Sequence, residues 1–331
     1  MNNTIAFLGA GSFGTSLSIL LANKNNSIKI WDRNENVVNG INNLHRNIKY
    51  IKDQIMPDNI TATVNIEDAV SGADYIVFSV PSDAIREVAN KAKAYINKNQ
   101  IIINISKGIE DNTFLRISQV IKEVCPANSI VVLSGPSHAE EVVKKIPTAV
   151  VASSFNAEAS ENVQDLFGED YFRVYTNEDL VGVEIGGAVK NIIALAAGVL
   201  DGIGYGDNSK AALMTRGLSE IIRIGELLGA KRETFSGLTG LGDLIVTCTS
   251  MNSRNRRAGI LIGQGFKKDE AVNKIGMVVE GITACRAFYH LKEKYKVEMP
   301  ITDSLYNVLF NDKDPKEAVY QLMLREKKSE M

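Results

Sequence analysis

The sequence predicts an α/β chain, with a mostly parallel sheet over residues 1–176 and an all-helical region over residues 177–331. Two observations carry this reading. Up to residue 176, short apolar runs at 4–8, 27–31, 74–80, 101–106 and 129–133 are separated by loops and by helical segments such as 83–95 and 113–124, the pattern of parallel strands with helical crossovers. Beyond residue 176 the periodic segments read as helices, and no convincing strand follows. With 331 residues, 45% of them apolar and 23% charged, the chain has material for two sizeable cores.

The first strand, residues 4–8, runs directly into Gly9-Ala10-Gly11-Ser12-Phe13-Gly14, and residues 15–22 read as a helix. In this G-x-G-x-x-G spacing Gly9 makes the turn, Gly11 lets a pyrophosphate approach the backbone, and Gly14 lets helix and strand pack closely. Free N–H groups at the helix N-terminus then face the phosphates. Strand, glycine turn and helix in this order mark a Rossmann-like, dinucleotide-binding unit.

The second strand, residues 27–31, ends in Asp32-Arg33, where this fold meets the adenosine ribose. A carboxylate there favours NAD and a guanidinium favours NADP, so Arg33 is expected to accommodate NADPH without excluding NADH. Residues 34–61 read as a polar, loop-rich stretch to which no chemistry is assigned, with His45 solvated.

Ligands in such sheets bind at the carboxyl ends of the strands, which directs attention to Val80-Pro81-Ser82, Ser106-Lys107-Gly108 and Ser134-Gly135-Pro136-Ser137-His138. Lys107 is placed to meet a phosphate or a reacting oxygen, with an exposed loop lysine as the alternative. His138 has no orienting carboxylate in its sequence surroundings beyond Glu140 and Glu141, so its loop is expected to line the ligand space rather than supply the catalyst. Residues 149–153 and 171–175 extend the sheet.

Thr176 or Asn177, followed by Glu178 and Asp179, then signals the start of a long helix. Over residues 183–200 this helix is apolar nearly all round, yet it carries Lys190 and Asn191. A buried ammonium must be paired, deprotonated or open to a polar cavity, so Lys190 predicts a cleft; a lysine snorkelling to the surface is the alternative. Further helices are expected at 209–228, 241–249, 255–262, 280–295, 301–310 and 315–324, with a charged, mobile end over 326–331. Asp243 follows a glycine-rich lead into a helix, from which it could be directed at Lys190. Ser253-Arg254-Asn255-Arg256-Arg257 opens another helix, where a hydroxyl, a guanidinium and free N–H groups can hold an anion. Arg254 is the expected contact, with Arg256 and Arg257 facing solvent or carboxylates.

Charge and cysteine content exclude other classes. Thirty-seven basic against thirty-nine acidic residues, a net charge of −2, give no electrostatic argument for nucleic acid or an anionic membrane. No uninterrupted apolar run reaches membrane-spanning length, no leader precedes the first strand, and Cys125, Cys248 and Cys285 lack the spacing of a metal clip or a disulfide framework. No metal site is expected, and a cytoplasmic protein with reduced thiols is. A homodimer is compatible with the sequence, which does not fix the oligomeric state.

Taken together, the glycine turn, Val80-Pro81-Ser82, Ser106-Lys107-Gly108, Ser134-Gly135-Pro136-Ser137, Gly186-Gly187-Ala188-Val189-Lys190-Asn191, Gly240-Leu241-Gly242-Asp243, Ser253-Arg254-Asn255 and Val278-Val279-Glu280-Gly281 resemble the bacterial-type NAD(P)-dependent glycerol-3-phosphate dehydrogenases over nearly the whole chain. The resemblance implies that Ser12, Phe13, Arg33, Lys107, Ala139, Arg254, Val278 and Glu280 meet NADPH or NADH. It implies that Lys107, Gly135, Ser137, Lys190, Asp243, Ser253, Arg254 and Asn255 surround the phosphorylated substrate, dihydroxyacetone phosphate or sn-glycerol 3-phosphate. Lys190 would be the general acid and base. Phe13 stands where the family often has tryptophan, which preserves an apolar wall. A hydroxyacid or phosphogluconate-type dehydrogenase and a non-catalytic nucleotide sensor are the rival readings.

Overall fold

The computed structural model of the chain describes residues 2–327 and 329–330; Met1, and Lys328 and Met331 of the expected charged end, lie outside the described residues. Eight strands form one sheet: β1 (Thr4–Leu8), β2 (Ser27–Trp31), β3 (Ile60–Thr63), β4 (Tyr75–Phe78), β5 (Ile101–Asn104), β6 (Ile130–Ser134), β7 (Thr148–Ser153) and β8 (Phe172–Asn177). Their order is β3-β2-β1-β4-β5-β6-β7-β8, and every neighbouring pair is parallel except β6 with β7. The chain winds one way from β1 to β3 and the other way from β4 onward, so the switch point lies above β1 and β4, where a crevice opens at the carboxyl ends of the strands.

The strands are apolar on both faces because helices cover both. Leu17, Leu20, Val37, Ile41, Val163 and Phe167 pack on one side with Phe7 and Ile30; Val70, Ile85, Val88, Ile117 and Ile121 pack on the other with Leu8 and Ile76. After β8 the elements are helical, and their core is built around the helix Leu180–Gly202, whose Ile185, Val189, Ile192, Ile193 and Leu195 are fully buried. This is the one helix among the described residues long and apolar enough to cross a membrane, and 94% of that apolar stretch is buried inside the fold. Its start is capped by Asp179, which accepts from Gly182 N at 2.9 Å and from Lys231 N and Thr234 Oγ1, rather than by Thr176 or Asn177.

Three local expectations are corrected. The stretch from 34 to 61 is not loop throughout: Asn34 accepts from Asn36 N and caps a helix, Glu35–Leu44, that buries Val37, Val38 and Ile41 before the chain enters β3. A helix at Lys268–Ile275 closes on Ala271 where none was expected. The lead to Asp243, Leu238–Gly242, is a turn of π-helix, and the α-helix proper begins at Asp243 itself.

Candidate active site

The glycine turn has the geometry its spacing requires. Gly9 lies at φ +115°, which an L side chain rarely adopts, and its N–H donates to Trp31 O at 2.8 Å. A Cβ on Gly14 would stand 2.7 Å from Ser79 Cβ, so only glycine lets the Ser12–Asn23 helix close on the end of β4. At Gly11 a Cβ would meet only Ser79 O, at 3.5 Å, and no described side chain caps the helix that follows. The first turn's N–H groups are thus left for an anion, and the cradle fits a dinucleotide pyrophosphate. Asn47 ties the turn from below, donating to Ala10 O at 2.8 Å and to Thr15 Oγ1 at 2.9 Å while itself buried. Nothing in the Asn-rich run around it marks Asn47 out in sequence, since its role depends on contacts more than thirty residues away.

At the ribose end the two adjacent charges part company. The Asp32 carboxylate turns inward, accepting from Ala10 N at 3.0 Å and Asn34 N at 2.9 Å. Arg33 is exposed, with Glu87 within reach of its charge. Phe13 packs against the sheet core and Ala139 is buried beneath the third strand-end loop, whereas Val278 is exposed.

The central cluster forms around one carboxylate. Asp243, 1% exposed, accepts from Lys190 Nζ through Oδ1 at 2.7 Å and from Lys107 Nζ through Oδ2 at 2.6 Å. Lys190 Nζ donates also to Thr247 Oγ1 at 2.7 Å, one turn beyond Asp243, and Thr247 returns its proton to Asp243 O. Lys107 donates as well to Gly135 O at 2.9 Å, which Ser137 Oγ shares at 3.0 Å. Lys190 does not snorkel and Lys107 is not a free loop lysine. Together the two ammoniums and one carboxylate leave a net positive charge in a water-poor site.

Burial pushes the Lys190 ammonium down to about 8; the Asp243 carboxylate opposes that and the Lys107 charge adds to it. Burial alone would raise Asp243, but the two lysines outweigh it and hold the carboxyl below its usual range. His138, near the same charges, is driven below its ordinary value by burial and then by Lys190, and is neutral at pH 7. Its Nε2 is shielded and has no hydrogen-bond partner among the described residues, which agrees with the absence of an orienting carboxylate. Thr247 went unread in the sequence; its spacing of four from Asp243 along one helix face was the available signal.

The Arg254–Gly263 helix reaches the cluster because Gly198 and Gly259 let the two helix backbones meet: a Cβ on Gly198 would lie 2.0 Å from Arg256 O. Asn255 Nδ2 donates to Asn191 Oδ1 at 2.9 Å, and Asn255 Oδ1 accepts from Gly281 N at 2.9 Å. Ser253 Oγ caps this helix by accepting from Arg256 N at 3.2 Å, which leaves its own proton free to donate. Arg256 is held away by Asp201, at 2.7 Å, and by Thr249 O. Arg254 forms no hydrogen bond or ion pair with the described residues, although Glu280 feels its charge. Arg257 is partly exposed, with its Nε alone shielded and without a hydrogen-bond partner among the described residues. The Leu180–Gly202 helix also hides a second charge that the sequence reading passed over, Glu184, which accepts from Arg116 Nη1 and from Ser118 N at 2.8 Å.

Comparison with known proteins agrees with this geometry. The family described as NAD-dependent glycerol-3-phosphate dehydrogenase N-terminus matches residues 4–160, and the family described as its C-terminus matches residues 179–320. A glycerol-3-phosphate dehydrogenase [NAD(P)+] of Clostridium perfringens is 64% identical over 98% of both chains, and one of Bacillus velezensis is 53% identical over 99% of this chain and 96% of its own. The crystal structure of glycerol-3-phosphate dehydrogenase from Coxiella burnetii superposes with a TM-score of 0.95 at 37% identity, covering 98% of this chain and 99% of that one. A glycine cradle for a dinucleotide, a lysine pair on a buried carboxylate and relatives aligned end to end converge, and the chain belongs to the family of NAD-dependent glycerol-3-phosphate dehydrogenases, oxidoreductases that act on a CH–OH group with NAD(P).

Proposed function

We propose that this chain reversibly reduces dihydroxyacetone phosphate to sn-glycerol 3-phosphate, with Lys190 as general acid in reduction and general base in oxidation, and that it thereby supplies the glycerol phosphate backbone of phospholipids. The observation that carries the reading is the Lys190 ammonium, buried, aimed by Asp243 and Thr247, and brought down to about 8, close to the pH at which it must give and take a proton. When bound, NADH or NADPH supplies the hydride that reaches the carbonyl carbon. The Lys190 Nζ proton passes to the carbonyl oxygen, which becomes the product's secondary hydroxyl. Lys107, fixed by Asp243 and Gly135 O, adds positive charge beside that oxygen as it turns alkoxide-like.

The substrate phosphate is assigned to Arg254 with the Ser253 hydroxyl and Asn255. Arg256 is committed to Asp201, whereas Arg254 has no such commitment. Arg254→Ala is expected to raise KM for dihydroxyacetone phosphate at least about tenfold, the loss of a charged hydrogen bond, with a smaller change in kcat. Steady-state kinetics with varied substrate check it, and an unchanged KM rejects the assignment.

On the cofactor side, the inward turn of Asp32 leaves Arg33 as the charge that a 2′-phosphate would meet. Arg33→Ala is expected to lower the ratio of NADPH to NADH efficiency by roughly tenfold while NADH turnover stays close to its original value. If the ratio does not move, Arg33 does not set the preference. The whole reading is tested by following NADH and NADPH absorbance with dihydroxyacetone phosphate: oxidation of the cofactor supports it, and binding without oxidation makes the chain a sensor.

A further inference from the structure

A second, half-buried carboxylate, Glu280, stands at the same strand ends, and a serine from the sheet half of the chain holds it. Glu280 is the first residue of the helix Glu280–Tyr295, in the helical half. Ser82 follows β4 and is 4% exposed. The serine grips the carboxylate with two donors, Oγ to Oε2 at 2.8 Å and backbone N to Oε1 at 3.3 Å. Room for the pair comes from Gly108, after β5: a Cβ there would lie 2.7 Å from Ser82 Cβ and 2.8 Å from its Oγ. The Glu280 carboxyl lies above its usual range: desolvation raises it most, the two bonds from Ser82 and the Arg254 charge only partly oppose that, and Asp83 adds to it. A carboxylate offers about four acceptor sites, so two remain for donors from the crevice between β4 and β5. A primary amide, with its NH2 group, is a donor of matching chemistry.

We propose that Ser82 is a positioning residue for the cofactor, holding the Glu280 carboxylate in the orientation in which it accepts from the carboxamide of the nicotinamide ring. This rests on the reading that Glu280 meets the cofactor. The side-chain hydrogen bond of Ser82 goes to Glu280, and its effect on the cofactor passes through that carboxylate.

The test is a binding titration of the full chain with NAD+ and with its 3-acetylpyridine analogue, in which a methyl ketone replaces the amide and removes its N–H donors. Ser82→Ala is expected to weaken NAD+ about tenfold and to leave the analogue within roughly twofold. Gly108→Ala, which crowds Ser82 without deleting its hydroxyl, is expected to show the same selectivity and serves if Ser82→Ala fails to fold. Equal weakening of both ligands, or weakening of neither, overturns the role of Ser82. Glu280→Ala separates the two levels: if it is selective for NAD+ and the Ser82 and Gly108 variants are not, only the positioning role is lost; if it is not selective, the reading of Glu280 falls with it.

Discussion

Replacing Lys190 with alanine is expected to lower kcat for dihydroxyacetone phosphate reduction by about 10²–10⁴-fold, the range a positioned general acid contributes, while the dissociation constants of NADH and NADPH stay close to their original values. The asymmetry follows from position. Lys190 sits on the helix Leu180–Gly202 and bonds to Asp243 and Thr247, whereas the dinucleotide cradle is made by the turn after β1. Loss of the ammonium also frees Asp243 to pair with Lys107 alone, so the fold keeps one of its two ion pairs there. Pre-steady-state reduction separates the chemical step from product release, and a variant with near-normal turnover would remove Lys190 from the mechanism.

The pH dependence of the unmodified enzyme follows with a definite sign. With Lys190 as the proposed general acid, reduction needs it protonated, so its rate is expected to fall as pH rises through about 8. Oxidation needs the neutral amine and is expected to rise over the same interval. Burial is the main cause of the lowered value, and it is partly offset by Asp243. Rate profiles in both directions between pH 6 and 10, a window of about two units on either side of that value, check the crossing.

The sheet, apart from β3, and the buried helix were legible in the sequence because each rests on a local pattern: apolar runs between turns for the strands, an apolar surface on every side for Leu180–Gly202; β3 is short and begins in a stretch read as polar loop. Strand direction is not written in such runs, and β7 turns out to pair antiparallel with β6. The Glu35–Leu44 helix was hidden because its asparagines are weak helix formers, and it is the burial of Val37, Val38 and Ile41 that holds it. In the site, Lys107, Lys190 and Asp243 were readable as charges out of place beside apolar or glycine-rich segments. Asn47 and Glu184 were not, because each is an ordinary residue type whose partner is brought up by the fold from a distant part of the chain.

Asp243→Asn is expected to have the second largest effect, on both catalysis and stability. The carboxylate bonds to two ammoniums at once and is itself buried. An asparagine of the same shape offers one carbonyl oxygen to one lysine and turns an NH2 donor toward the other, so two cations remain in a poorly solvated site without a counter-charge. Removing one partner of a buried pair costs about 3–5 kcal/mol, and urea denaturation near neutral pH is expected to show a loss of that order. Much of that cost disappears if one lysine gives up its proton, and Lys190 is the one to do so, since its side chain is 7% exposed against 18% for Lys107. Its titration then moves below about 8, because the attraction of Asp243 that held it up is gone while burial and the Lys107 charge remain. With Lys190 as the proposed general acid, a smaller share of it is protonated at pH 7, so reduction is expected to slow, by up to about 10²-fold, with its alkaline limb shifted to lower pH. A pH–rate profile of Asp243→Asn that keeps the original limb would show that Asp243 does not govern the protonation of Lys190, whatever happens to stability.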